Sequence, residues 1–276
     1  MSSQNLAIYL WKFLSNHYKD CQKQVATKYM FAEGDIPILL CAHIDTVFDN
    51  PPTMIFTDPE EEVIWAPQGL GADDRAGVYA IMDIIMSGFR PSVLFTTDEE
   101  IGCLGAKELV RKYPKCPFKN IKAIIQLDRR GYCDCVFYGC DNKHFTAWIE
   151  SAGFVENEGS FTDISIICPK WGIAGVNLSV GYYLEHSNAE FLRLKELDKT
   201  LVKVKTLLKR IEDIDEPFIF IQREVYMDPF SWQNNIGKCA KCGKIIAYSD
   251  TFYCDSYNLD NTVLFCEKCV NQIRNH

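Results

Sequence analysis

The sequence has no apolar run that approaches the ~20 residues of a membrane-spanning helix. The apolar segment near its start, Leu6 to Leu14, is too short for a span and contains Lys12. The same segment does not have the form of a secretion signal. We therefore expect a soluble protein that works in the cytoplasm and has no membrane partner.

The sequence also has no surplus of basic residues. Lys and Arg number 29 against 37 Asp and Glu, so the formal net charge is -8. Nucleic acids and anionic membranes bind positively charged surfaces, and this composition argues against both as main partners. Internal repeats and low-complexity tracts are absent too. Hydrophobic residues make up 47% of the chain, which is enough for a sizeable core.

Cysteine, in contrast, is abundant, with 13 residues in the chain. A chain of this length without a secretion signal is not a small disulfide scaffold. Four of the cysteines form two Cys-x-x-Cys pairs near the end of the chain. We interpret the other nine as reduced, mostly buried small hydrophobes, because many of them lie within apolar runs.

Helix-like and strand-like segments alternate along residues 1–211, which predicts an α/β fold with a mixed central sheet and helices on both faces. A linker at residues 212–231 and a small module at residues 232–276 would follow this large domain. The predicted helices cover residues 5–18, 74–86, 105–113, 145–152 and 189–211; the predicted strands cover residues 36–42, 54–56, 63–66, 92–96, 121–127, 136–138, 164–167 and 176–180.

Five short segments that carry acidic or histidine side chains follow one another where apolar runs end. They are His43-Ile44-Asp45-Thr46-Val47, Gly71-Ala72-Asp73-Asp74-Arg75-Ala76-Gly77, Asp98-Glu99-Glu100-Ile101-Gly102, Asp128 after Ile124-Ile125-Gln126-Leu127, and His186. Their two histidines and several carboxylates suit two zinc ions bridged by one carboxylate. Any one segment has an ordinary structural explanation, such as compensation of a helix dipole, but those explanations would have to hold five times.

Amide hydrolysis at neutral pH needs an activated water, a base for its proton and stabilisation of the oxyanion. The segments supply each role. His43 would bind the first zinc, with Asp45 orienting its imidazole, and Asp73 would bridge the ions. Of Glu99 and Glu100, one would bind metal while the other acts as base, and Asp128 and His186 would complete the two sites. Asp74 competes with Asp73 as the bridge, but its position favours a role at the helix start.

In this order, the five segments resemble those of the di-zinc exopeptidases, the clan that includes peptidase T, carboxypeptidase G and the tetrahedral aminopeptidases. The resemblance covers residues 36–190 and includes Glu190 after His186. It implies that His43, Asp73 and Asp128 hold one zinc and that Asp73, Glu100 and His186 hold the second. It also implies that Glu99 is the general base towards a water that bridges the ions, and that Asp45 orients His43.

The implied function is that of a zinc exopeptidase on small peptides, either an aminopeptidase or a carboxypeptidase. A deacylase of N-acyl amino acids would use the same site. The alternative from another class is a non-catalytic peptidase-like scaffold, for which a free base at Glu99 would have no use.

The lid domain of the related enzymes has no counterpart in this chain. Only 58 positions separate Asp128 from His186, and 30 separate His43 from Asp73, so neither gap has room for it. Other residues must then contact the substrate. Tyr182, Tyr183 and Arg129, which is followed by Arg130, are the candidates. A core tyrosine and an ion pair with nearby acids are the competing explanations.

Two cysteine pairs near the end of the chain, Cys239 with Cys242 and Cys266 with Cys269, resemble the knuckles of a zinc ribbon. Four thiolates would hold one structural zinc, which makes three zinc ions per chain with the two catalytic ones. We expect residues 245–248 and 262–265 to pair as a hairpin between the knuckles, and Cys254 not to be a ligand. The negative charge of the chain favours a protein partner for this module over nucleic acid.

Overall fold

The structure is a computed structural model that describes residues 1–19, 21–23 and 28–223, and four short strands between residues 236 and 266. The chain divides into two compact units, Met1–Arg223 and Glu224–His276. The predicted segments with metal-ligand side chains, from His43 to His186, all lie in the first unit.

An eight-stranded sheet forms the centre of the first unit, in the order β1-β2-β6-β3-β7-β10-β8-β9. Its four central strands are parallel to one another. They are the nearly continuous apolar runs of the sequence, and they are buried on both faces, as central parallel strands are. The strands are β1 (Cys21–Lys23), β2 (Tyr29–Ala32), β3 (Ile36–His43), β6 (Pro91–Thr96), β7 (Ala123–Arg129), β8 (Asp134–Val136), β9 (Val155–Glu156) and β10 (Gly175–Ser179).

Helices cover both faces of this sheet, which confirms the predicted fold class. One hydrophobic cluster contains side chains of α1, α2, α4 and α6, and the other contains those of α3 and α5. Within the described ranges, no helix is both long and apolar enough to cross a membrane. The helices are α1 (Ser3–His17), α2 (Ala72–Met86), α3 (Leu104–Lys112), α4 (Lys143–Glu150), α5 (Asp163–Trp171) and α6 (Leu194–Arg210).

A second, four-stranded sheet has the order β11-β12-β5-β4. The hairpin predicted from residues 54–66 is present in it as β4 and β5, which pair antiparallel. The other two strands were not predicted, since they are only two and three residues long. The four strands are β4 (Phe56–Asp58), β5 (Val63–Trp65), β11 (Tyr182–Tyr183) and β12 (Phe191–Arg193).

Two predicted elements are wrong. Residues 164–167 were assigned to a strand because three of the four are isoleucine, but they belong to helix α5. A capping box between Thr162 and Ser165 begins this helix, and Gly172 in the left-handed conformation ends it. The long helix expected from Ala189 begins only at Leu194, because the residues before it form β12.

The residues that follow α6 belong to the first unit as far as Arg223, in the part of the chain where the sequence suggested a linker that partly docks. Ile211–Asp213 form a turn of 3₁₀-helix. Phe218 is then buried, with its ring 5.1 Å from that of Phe145 and 5.4 Å from that of Trp148. Burial of such a large aromatic ring explains why this stretch follows the domain surface.

The second unit contains two antiparallel strand pairs. β13 (Ile236–Lys238) pairs with β14 (Ile245–Ala247), and β15 (Thr251–Tyr253) pairs with β16 (Leu264–Cys266). Strands form where the sequence predicted them, but the predicted pairing of residues 245–248 with 262–265 is wrong. Closing the short connection after β13 costs less chain entropy than closing a longer loop. The proposed ligands Cys239, Cys242 and Cys269 and the neighbouring Cys254 lie outside the described residues.

Candidate active site

The predicted metal ligands meet at one edge of the central sheet, where the parallel strands end. His43 is the last residue of β3, and Asp128 is the penultimate residue of β7. The loop with Glu99 and Glu100 follows β6, and His186 lies in the chain that continues from β10. The carboxyl ends of adjacent parallel strands are the usual position of active sites in such sheets.

Asp73 lies between the two histidines and presents one carboxylate oxygen to each. Its Oδ1 is 3.2 Å from His43 Nε2, and its Oδ2 is 3.1 Å from His186 Nε2. A further carboxylate lies close to the Nε2 atom of each histidine. Asp128 Oδ1 is 3.4 Å from His43 Nε2, and Glu100 Oε2 is 2.9 Å from His186 Nε2. The two halves of this arrangement share only Asp73.

The donor set fits divalent metal. Ligand atoms of His43, Asp73 and Glu100 lie within 4.8 Å of one another, and so do those of His43, Asp74 and Asp128. Glu100 Oε1 is buried and has no hydrogen-bond partner among the described residues. Imidazole nitrogens combined with carboxylates form the ligand chemistry of zinc in catalytic sites.

The histidines and carboxylates strongly perturb each other's proton affinity. Burial alone would lower the pKa of His43, but the carboxylates of Asp128, Asp45 and Asp73 raise it well above its ordinary value. Hydrogen bonds to Asp73 and Glu100 raise the pKa of His186 to about 11. Burial opposes ionisation of Asp73, yet its bonds to both histidines lower its pKa. The carboxylates therefore favour a positive charge at Nε2 of His43 and at Nε2 of His186.

Asp45 lies next to the other nitrogen of His43. Its carboxylate oxygen is 3.4 Å from His43 Nδ1, and its backbone carbonyl oxygen is 3.1 Å from the same atom. The second carboxylate oxygen of Asp45 accepts a hydrogen bond from the backbone N–H of Glu100 at 3.2 Å. Asp45 thus contacts two of the proposed ligands and can orient both.

Asp74 is buried next to Asp73, but both of its carboxylate oxygens accept backbone hydrogen bonds. One bond comes from the N–H of His43 at 3.2 Å and the other from the N–H of Gly77 at 3.0 Å. Asp74 therefore ties the first turn of α2 to the end of β3. The geometry favours Asp73 over Asp74 as the carboxylate between the two histidines.

Glu190 received no role from the sequence, although it lies four positions after His186. Its side chain is 0% exposed. Its two carboxylate oxygens accept hydrogen bonds from the backbone N–H of Gly71 at 2.5 Å and of Asp73 at 3.0 Å. Glu190 thus holds the loop that carries Asp73, and its place inside the last acidic segment was the available signal.

Three further polar side chains that sequence reasoning missed hold Asp128. Its carboxylate accepts hydrogen bonds from the hydroxyl of Thr162 at 2.9 Å and from the amide of Gln126 at 2.8 Å. Its backbone N–H and carbonyl bond to the side chain of Asn177 at 2.9 and 2.8 Å. Thr162 and Asn177 come from other segments of the chain, so no local pattern marks them.

Glu99 lies at the edge of a cavity of about 490 Å³ and is half-buried. Burial, together with the nearby charge of Asp128, raises the pKa of Glu99 to about 7. The thiol of Cys103 donates to Glu99 Oε1 at 3.4 Å. A carboxyl whose pKa lies close to neutral pH is suited to accept and release a proton.

The same cavity contains two of the three predicted substrate contacts. Tyr182 lines it and donates a hydrogen bond to Asp128 at 3.4 Å, and Arg129 also lines it. Tyr183 is not brought into the cavity: its hydroxyl donates to Glu196 at 2.6 Å, because neighbouring residues of a strand point to opposite sides. The other lining residues are Asp73, Glu99, Asp128, Arg130, Tyr138, Glu158, Gly159, Ser160, Phe161, Thr162, Asn177, Glu185 and His186.

Both arginines of the cavity have acidic or carbonyl partners. Arg129 donates to the backbone carbonyl of Glu158 at 2.9 Å and lies 3.7 Å from the carboxylate of Asp134. Arg130 forms an ion pair with Glu185 at 2.7 Å and is largely exposed. A substrate carboxylate would therefore have to share these guanidinium groups with their present partners.

Part of the chain is similar to a known protein family. Residues 25–138 match the model of peptidase family M28. This segment includes the proposed site residues from His43 to Asp128 but ends before His186. No curated protein sequence matches the chain significantly.

Several solved structures share the fold. Aminopeptidase PepT from Bacillus cereus has 15% sequence identity and a TM-score of 0.59, with 75% of this chain and 92% of that chain covered. A tripeptidase from Staphylococcus aureus has 15% identity and a TM-score of 0.58, with the same coverage of both chains. An aminopeptidase from the archaeon Desulfurococcus kamchatkensis has 14% identity and a TM-score of 0.56, with 75% and 90% covered.

These findings confirm the resemblance to the di-zinc exopeptidases. Residues 25–138 are similar to peptidase family M28, and the first unit has the fold of these aminopeptidases.

Proposed function

We propose that the protein is a zinc-dependent exopeptidase that hydrolyses small peptides at the site between His43 and His186. The observation that carries this proposal is the position of Asp73, with one carboxylate oxygen towards each histidine. A carboxylate shared in this way is what two neighbouring metal ions require of their bridging ligand.

His43, Asp73 and Asp128 would hold one zinc ion, and Asp73, Glu100 and His186 would hold the other. When bound, two such ions polarise the scissile carbonyl and lower the pKa of a water at the site. Asp45 keeps the His43 ring in place through its contacts to Nδ1, the ring nitrogen that does not face Asp73.

Glu99 is the general base of the proposed reaction. It takes a proton from the attacking water and returns it to the leaving amine nitrogen, so that one water is consumed for each peptide bond cleaved. In the metal-free protein, burial raises the pKa of Glu99, which favours its taking up the proton of the water. A non-catalytic scaffold would not need such a group, and Glu99 therefore argues against that alternative.

The cavity supports short substrates. Its volume of about 490 Å³ lies within the range typical of small-molecule sites. The similar structures include two aminopeptidases and a tripeptidase, which favours cleavage next to the N-terminus of a short peptide. Tyr182 and Arg129 are the proposed substrate contacts.

Deacylation of N-acyl amino acids is the second candidate. The guanidinium group of Arg129 lines the cavity, where it would suit the free carboxylate of such a substrate. The metal ligands do not distinguish the two reactions, because both begin at an amide carbonyl.

The Cys-x-x-Cys pairs at Cys239 with Cys242 and Cys266 with Cys269 support a separate structural zinc in the second unit, and we propose a protein partner for that module. Seven described cysteines of the first unit are free thiols. Free thiols fit a reducing compartment such as the cytoplasm.

Turnover by the zinc-loaded protein on aminoacyl, short peptide and N-acyl substrates tests the proposed function. Glu99→Ala should abolish turnover and keep its zinc, whereas His186→Ala should lose zinc from the site. Turnover that survives in Glu99→Ala would exclude Glu99 as the base. A zinc content unchanged by His186→Ala, even after zinc is added back, would exclude the two-metal site.

A further inference from the structure

The small four-stranded sheet has an inner and an outer face of different character. Successive side chains of a strand point to opposite faces, and Ile64, Tyr182 and Leu192 pack into or against the hydrophobic core on the inner face. The outer face therefore carries the residues next to these three and their cross-strand partners on β4. They are Phe56, Asp58, Val63, Trp65, Tyr183, Phe191 and Arg193.

Four aromatic side chains, one from each strand, form a row across this outer face. Phe56 pairs with Trp65, and Trp65 pairs with Phe191 on its other side. Phe191 in turn pairs with Tyr183, and their rings lie 5.2 Å apart. Phe56 and Trp65 nevertheless remain 40% and 38% exposed. Exposed aromatic side chains in one contiguous patch mark a surface that contacts a partner.

A second row on the same face carries one negative and one positive charge. Asp58 on β4 and Arg193 on β12 are the cross-strand neighbours of Val63 on β5, the strand between them. Asp58 accepts hydrogen bonds only from backbone N–H groups of its own turn, and the Arg193 guanidinium lies over the rings of Tyr183 and Phe191. In the part of the chain that the structure describes, neither charge forms an ion pair. Both side chains line a groove of about 360 Å³.

A two-fold axis along β5 makes this pattern complementary to itself. Such an axis places β4 of one copy opposite β12 of the other, because these strands lie on either side of β5. Asp58 then faces Arg193 of the partner subunit, and Arg193 faces the partner subunit's Asp58. In the aromatic row, Trp65 faces its own counterpart and Phe56 faces Phe191 of the partner subunit. The strands of the two sheets also run in nearly the same direction, as they do in aligned sheet packing.

Partners with charge of a single sign fit this face less well. A basic segment would be repelled by Arg193, and an acidic one by Asp58 and by Glu61, which also lines the groove. A second copy of the chain pairs both signs of charge at once.

We propose that the outer face of β4, β5, β12 and β11 is the interface of a symmetric dimer, in which a second copy of this chain packs on the same face. The face has far fewer side chains than the roughly 20–30 residues that each partner contributes to a standard interface. The dimer therefore dissociates on dilution, with a Kd on the order of micromolar. None of the proposed metal ligands lies on these strands, so the proposal does not depend on the proposed function.

Sedimentation velocity of the full chain from about 1 to about 100 µM, in reducing buffer and at fixed zinc content, tests the proposal. Wild type should change from monomer to dimer over this range. Trp65→Ala should weaken association at least about ten-fold, because it removes the aromatic contact on the two-fold axis. Tyr79→Ala removes an exposed aromatic side chain from α2 and should match wild type.

Charge reversal tests the two-fold pairing itself. Asp58→Arg and Arg193→Asp each place like charges opposite one another in a symmetric dimer, so each protein alone should stay monomeric. An equimolar mixture of the two proteins should dimerise again, because a mixed dimer has charges of opposite sign at both positions.

A wild type that stays monomeric at about 100 µM would overturn the proposal and leave the face to a different partner. A mixture that remains monomeric would also overturn it, and so would a dimer that Trp65→Ala leaves unchanged. The Trp65→Ala result decides the matter if charge reversal at Asp58 prevents folding, since this variant leaves the turn of Asp58 intact.

Discussion

Glu190 shows how a single buried carboxylate shapes the site without touching a proposed metal position. Its two oxygens hold the backbone N–H groups of Gly71 and Asp73. In Glu190→Gln, one acceptor becomes an NH₂ group that faces a donor. We expect a loss of about 2 kcal/mol in unfolding free energy and weaker zinc binding, because Asp73 loses its support. Urea denaturation and zinc titration measure the two effects.

Glu196→Gln is the matched control, since Glu196 accepts its hydrogen bond from Tyr183 outside the cavity. It should leave zinc affinity unchanged. Equal zinc affinity of wild type and Glu190→Gln would show that Asp73 does not depend on Glu190.

Asp163 gives a prediction on pH. Burial, with a smaller contribution from the charge of Glu99, raises its pKa to about 7 against the opposing bond from Thr96. The unfolded value is near ~4, so between pH 4 and 7 the folded protein holds a proton that the unfolded chain has released. The contribution of Asp163 to stability is therefore present at low pH and is lost as pH rises through this window.

Asp163→Asn cannot ionise and should remove that dependence. We expect its unfolding free energy, relative to wild type, to rise between pH 4 and 7 by about 1.4 kcal/mol for each unit of the pKa shift. Urea denaturation at several pH values measures the difference, with zinc removed from both proteins, because a nearby cation would lower the pKa. If the unfolding free energies of wild type and Asp163→Asn changed with pH in parallel, that result would contradict the raised pKa of Asp163.

At the scale of elements, α2 depends on a close approach to β7 at Gly77. A Cβ atom at this position would lie 1.8 Å from the carbonyl oxygen of Leu127 and 2.5 Å from the carboxylate of Asp74. Gly77→Ala should therefore destabilise the protein by about 3 kcal/mol and weaken zinc binding through Asp74. Tyr79→Ala, at an exposed position of the same helix, should have little effect in urea denaturation. A Gly77→Ala protein as stable as Tyr79→Ala would mean that α2 and β7 are farther apart.

The sequence predicted the elements that carry long periodic or continuous apolar patterns, such as α2, β3 and β7. It failed at α5, where a four-residue segment with three isoleucines looked like a strand and the helix is defined by the capping box of Thr162 and Ser165. It also missed β12, whose three residues are too short to show alternation. Tertiary pairing, with β5 on one side and β11 on the other, defines that strand.

The proposed metal ligands could also be predicted from the sequence, because they too are marked by local patterns, whereas the residues around them could not. Each proposed ligand follows an apolar strand or begins a helix, so the chain itself marks it. The side chains that hold the ligands, such as Thr162 and Asn177 around Asp128, come from distant segments. Such partners become visible only when the fold brings those segments together.

At the scale of the whole molecule, the two units offer different sets of potential metal ligands. The first unit offers histidine and carboxylate oxygen ligands around an open cavity, which is the pattern of catalytic zinc. The sequence of the second unit offers four cysteines in two pairs, which is the pattern of structural zinc. The two sets of ligands share no residue, so each can be substituted separately.

Zinc stoichiometry of the full chain tests this division. Wild type should contain about three zinc ions per chain, two held by histidine and carboxylates and one by thiolates. Cys239→Ser combined with Cys242→Ser should reduce the content by about one ion and preserve turnover per folded molecule, whereas His186→Ala should reduce both the zinc content and turnover. Elemental analysis and peptidase assays on the same preparations measure both quantities. A cysteine variant that keeps all its zinc would refute thiolate binding in the second unit. A cysteine variant that loses turnover although the site of the first unit is fully loaded with zinc would show that the two units do not act independently.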